Sequence, residues 1–71
     1  PIHWQTHEMA SHRSQLSSAA TTLDDLTVRL AEVADAYRGG PREDITIDLD
    51  EVERSLRSAT RRLNRLVRRL S

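Results

Sequence analysis

The residues with the most chemical reach in this chain are its histidines and its arginines. His3 and His7 stand four apart, with Glu8 and His12 close by. On a helix that spacing puts two imidazoles on one face, the arrangement in which they ligate a metal. The chain has no cysteine and no aspartate cluster near them to complete a coordination shell, so neither a metal nor any other cofactor is expected. Ser, His and Asp all occur, but no nucleophile elbow, phosphate-binding loop or H-E-x-x-H string accompanies them. The reading is therefore not an enzyme, with no small-molecule substrate.

The arginines are segregated. Glu43 to Glu53 holds six acids and no Arg, whereas Arg54 to Ser71 holds seven Arg and no acid. Acids suit a helix N-terminus and cations its C-terminus, so a solvated helix face accounts for the pattern. The functional alternative is contact with an anionic partner or a nucleic acid through Arg54, Arg57, Arg61, Arg65 and Arg68, which recur at helical spacing and would track phosphates. Against nucleic acid stand a net charge of +0 and the lack of any aromatic residue interleaved for base stacking.

The elements that carry these residues are legible from the apolar pattern. One stripe runs Ile2, Met9, Leu16, Ala19, Leu23, Leu26, Leu30, Val33, Tyr37; a second runs Leu49, Val52, Leu56, Ala59, Leu63, Leu66, Leu70. Both keep heptad spacing, with His12 as one polar interruption. Between them lies Arg38-Gly39-Gly40-Pro41, where Gly supplies a left-handed cap and Pro cannot continue a helix. The expectation is an all-α fold: an antiparallel helical hairpin of two long heptad-patterned helices forming a single domain over residues 1–71. The first helix is expected at about residues 6–38, with Thr6 or Ser11 as cap, and the second at about 49–70. Residues 39–48 are read as turn and connector, because Ile45-Thr46-Ile47 is β-branched and Asp48 with Glu51 reads as a capping box.

The two stripes also predict a register. The layers Val33–Leu49, Leu30–Val52, Leu26–Leu56, Leu23–Ala59, Ala19–Leu63 and Leu16–Leu66 are all centred on Pro41, and each small residue faces a Leu. A slip of one heptad is the alternative. On the first register residues 1–10 overhang the hairpin and leave Ile2, Trp4 and Met9 without an intrachain partner. Beside the stripes stand small or uncharged residues, Ala20, Thr27 and Ala34 on one flank and Gln15, Thr22 and Ala36 on the other. Two-stranded coiled coils place Glu and Lys there, so the wide flank predicts that two hairpins pair into a four-helix bundle.

A chain of 71 residues without disulfides is marginal alone, and a partner chain is the expected way to complete its core. The resulting reading is a non-enzymatic protein–protein interaction module, a homodimer or one half of a paired hairpin. Its partner-binding residues are Leu16, Leu23, Leu26, Leu30, Val33, Tyr37, Leu56, Leu63, Leu66 and Leu70, together with Trp4. No run is long and apolar enough to span a membrane, and the N-terminus lacks a signal-peptide pattern, so a cytoplasmic location is expected. The start at Pro1 without Met marks a processed chain or a fragment.

Around the turn the chain resembles the WXG100 family, small helical hairpins exported by type VII (ESX) secretion systems. Tyr37-Arg38-Gly39 occupies the place of that family's Trp-x-Gly motif, with Tyr in place of Trp; no Tyr-x-x-x-Asp/Glu signal follows the second helix. The resemblance covers Leu16 to Leu70. It implies a dimer of hairpins in a four-helix bundle, with Tyr37 and Gly39 at the turn and type VII export as the route out of the cell.

Overall fold

The computed structural model describes the backbone of residues 2–70 and the side chains of residues 11–70. The chain is an all-α hairpin. Helix α1 spans Ile2–Tyr37 and helix α2 spans Glu43–Arg69. They pack side by side in a rod of 61 × 15 × 12 Å. Because α1 has 36 residues and α2 has 27, the first nine residues of α1 project past the end of α2, as the overhang predicted.

The connector is shorter than expected, which corrects the boundary of the second helix. It starts at Glu43 and not at Leu49, so Ile45, Thr46 and Ile47 are helical. Their intrinsic reluctance, a few tenths of a kcal/mol each, is overridden by tertiary contact: Thr46 is 2% exposed and Ile45 is half-buried against α1. The Asp48 and Glu51 pair is thus interior to the helix. No side chain caps the new start at Arg42, and Glu43 and Asp44 supply the favourable charge in the first turn, with Arg68 and Arg69 in the last.

The turn itself follows from its glycines. Arg38 N–H donates to the Asp35 carbonyl (3.3 Å) and Gly40 N–H to the Tyr37 carbonyl (3.1 Å). Gly39 takes φ +76°, the left-handed conformation that ends helices and that a side chain resists. The Ala34 carbonyl, released as α1 ends, accepts a hydrogen bond from Thr46 Oγ1 at 3.0 Å. Arg38 also reaches Asp50 across the hairpin at 3.5 Å.

The seam between the helices is a second correction. Among the described residues the buried ones are Ala20, Thr27 and Ala34 on α1 and Thr46, Glu53 and Thr60 on α2, each row stepping by seven. The leucine stripes do not meet head-on; the small row beside them does. Thr46 on Ala34 fixes the first layer, and equal rise along both helices pairs Thr27 with Glu53 and Ala20 with Thr60. These layers are centred on Gly40, not Pro41, so the leucine layers expected from the stripes shift out of register by two residues. The cause is steric. Ala and Thr let the backbones come close enough for the Thr46 bond, which facing leucines would prevent.

The seam is polar, and its polar groups are satisfied locally. Thr27 Oγ1 donates to the Leu23 carbonyl (2.7 Å) and Thr60 Oγ1 to the Leu56 carbonyl (2.8 Å), the back-bond that Thr makes one turn earlier. Glu53 Oε1 accepts from Arg57 at 3.2 Å. Among the described residues no buried side-chain polar atom lacks a partner.

Candidate interaction surface

With the seam filled by one row of small residues, the leucines are left over. At about 100° per residue, the rows 16/23/30/37 and 19/26/33 lie successively further round α1 from the seam row, and 49/56/63/70 and 52/59/66 do the same on α2. Antiparallel helices turn these two arcs to the same side of the pair. The hairpin therefore carries one continuous apolar face, about 100° of each helix.

Its inner rows are half-buried: Leu16, Leu23 and Leu30 on α1, and Leu49, Leu56, Leu63 and Leu70 on α2. The outer positions are open, with Leu26 at 40%, Val33 at 46%, Val52 at 45% and Leu66 at 41% exposed, and Tyr37 at 39% closes the turn end. A groove among Ser55, Ser58, Ala59, Arg62, Leu63 and Leu66 indents the face near its open end. Sequence reasoning named all of these leucines; Val52 and Leu49, placed in the stripe, belong to the face equally. Trp4 lies outside the residues whose side chains are described, as do His3 and His7.

The surface area of the chain is large for its mass. It exposes 5708 Å², whereas a folded monomer of 8.1 kDa exposes about 4,500 Å², an excess of about 1,200 Å². The excess follows from the elongated shape, a rod of 61 × 15 × 12 Å.

The opposite side of the hairpin is charged. Arg54, Arg57, Arg61, Arg65 and Arg68 are exposed and helical spacing sets them away from the leucines. Arg57 is tied to Glu53, and Arg54 and Arg57 share a shallow groove with Asp35, Arg38, Asp50 and Glu53, so part of the arginine row is neutralised by acids of its own hairpin. Among the described residues no aromatic side chain stands among these arginines. At the turn Arg42 binds Asp44 through two hydrogen bonds of 3.1 Å, which hold the Asp44 carboxyl below its ordinary value; Asp35, through its hydrogen bond, and Asp50, through its charge, raise the Arg38 guanidinium. His12 is exposed at its heptad position.

Among the described residues no group of three or more His, Asp or Glu is placed to hold a metal ion, and no helix is long and apolar enough to cross a membrane. The chemistry this surface offers is burial of apolar area between rims of charge. Comparison with protein-family models, curated proteins and solved structures finds no match to the chain.

Proposed function

We propose that this chain is a non-enzymatic protein–protein interaction module that pairs with a second helical hairpin, its own copy or a related one, through the leucine face. The observation that carries the reading is the face itself: two antiparallel helices spend their small residues on each other and turn their leucines outward together. Removing that area from water, at about 25 cal/mol per Å², supplies the drive, and a four-helix bundle is the assembly that covers both faces. Leu23, Leu26, Leu30, Leu56, Leu63 and Leu66 then carry most of the energy.

Light scattering and circular dichroism test this together. The protein is expected at twice its 8.1 kDa mass, or at the mass of a hairpin pair once its partner is added, and Leu26→Asp is expected to abolish the pair. A Leu26→Asp protein that stayed folded with unchanged mass would overturn the reading.

A WXG100-like exported hairpin is the second reading, favoured by one observation: Tyr37 and the left-handed Gly39 sit together where the chain folds back. Its test is separate. Export is expected to stop when a type VII secretion apparatus is disabled, and unchanged release would exclude it.

A further inference from the structure

Charge on the hairpin is segregated along its whole length, not only along α2. Residues 24–53, the half nearer the turn, carry ten carboxylates (Asp24, Asp25, Glu32, Asp35, Glu43, Asp44, Asp48, Asp50, Glu51, Glu53) against Arg29, Arg38 and Arg42, a net −7. Residues 11–23 and 54–70, the half nearer the open end, carry eight arginines and no carboxylate, a net +8. The sign changes close to the level of Leu23 and Leu56, which is also the middle of the apolar face between Tyr37 and Leu70.

From this we infer that the occupant of the leucine face is a second copy of the same chain, docked with its turn at the opposite end of the bundle. The inference rests on the reading of that face as an interface, and it adds the identity and direction of the partner. A closed pair of identical faces has a two-fold axis lying in the interface, and only two directions of that axis keep the helices aligned. One direction puts both turns at the same end, setting −7 against −7 and +8 against +8. The other puts the turns at opposite ends and sets each acidic half against a basic one. Like charges in register cost several kcal/mol in an interface, and complementary halves also speed encounter.

Side chains at the edge of the face agree with the second direction. Outside the Val52, Ala59 and Leu66 row, the next row on α2 holds Asp48 toward the turn and Arg62 and Arg69 toward the open end. All three are exposed and make no ion pair among the described residues. With the two-fold axis at Leu56, α2 lies antiparallel across α2 of the second copy. Asp48 then comes within about 3 Å, along the axis, of the level of Arg62 of that copy, twice in the dimer. With turns at the same end, Asp48 lies between the levels of Arg29 and Ala36 of the second copy, and Arg62 lies between Gln15 and Thr22, with no acid opposite it.

The chain has no cysteine, so a single Pro41→Cys variant carries one spin label at the turn. Electron-spin distance measurement on the dimer is expected to give about 45 Å, twice the axial distance from residue 41 to Leu56 at 1.5 Å per residue. A distance under about 20 Å, the width of a four-helix bundle, overturns the orientation while leaving the interface reading intact. A monomer by light scattering at 100 µM overturns the second copy as occupant, and the Leu26→Asp comparison then decides separately whether the face is an interface at all. As a further check, Asp48→Arg is expected to weaken dimerisation by about tenfold. Adding Arg62→Glu to the same chain is expected to restore it, and failure of that rescue also counts against opposite ends.

Discussion

Thr46 shows how one hydroxyl can close a hairpin. A helix leaves its last carbonyls without intrahelical donors, and at the end of α1 the Ala34 carbonyl is claimed by a side chain from the other helix at 3.0 Å, in a site 2% exposed. Thr46→Val keeps the shape and removes the donor, stranding a buried carbonyl. The expected cost is about 1–3 kcal/mol in urea unfolding followed by circular dichroism at fixed protein concentration. Thr46→Ser, which keeps the hydroxyl, is expected to lose clearly less. Equal losses would mean that packing of the methyl, not the hydrogen bond, is what matters.

The two helices themselves are specified by a contrast between neighbouring heptad rows. One row is Ala, Thr and a single Glu; the rows beside it are Leu and Val. The presence of two helices, the break between them and the identity of the apolar stripe were all readable from spacing, because periodicity reports which residues share a face. What spacing does not report is which edge of a wide apolar arc meets the neighbouring helix. Ala20, Thr27 and Ala34 looked like flanks of the stripe, and they are the seam. The start of α2 was misread for a related reason: Ile45 and Thr46 act through contacts with α1 that local propensity cannot register. Glu53 was likewise invisible as an interior residue, since an acid at that spacing reads as solvated. Its side chain is only 6% exposed while its partner Arg57 is 57% exposed, so the pair brings one charge, not two, out of water. Replacing a buried ion pair by an apolar residue of similar volume is often stabilising by about 1–4 kcal/mol. Glu53→Leu is therefore expected to raise the urea midpoint, and Arg57→Ala, which strands the acid, to lower it. A Glu53→Leu protein with a lower midpoint would show that the carboxylate is needed to hold the seam in place.

At the scale of the molecule, the seam is too thin to hold the chain together comfortably. Among the described residues its buried apolar side chains are two alanines, and the larger side chains spend much of their area on water. Folding of such a hairpin is expected to be linked to association by mass action. The midpoint of thermal unfolding should rise by several degrees as protein concentration is raised from micromolar to near-millimolar, since each tenfold step adds about 1.4 kcal/mol to a dimer. A midpoint independent of concentration would show that one hairpin is stable alone.

Seven-residue spacing in both the seam and the face makes the hairpin modular in length. Deleting residues 21–27 from α1 together with 53–59 from α2, which lie at the same level, removes one whole repeat from each arm and leaves every remaining layer opposite its former kind. Deleting three or four residues from one arm instead rotates everything beyond the cut and turns its leucines off the common side. Variation in length among chains built this way should therefore come in matched heptads, one from each arm, with the turn left untouched.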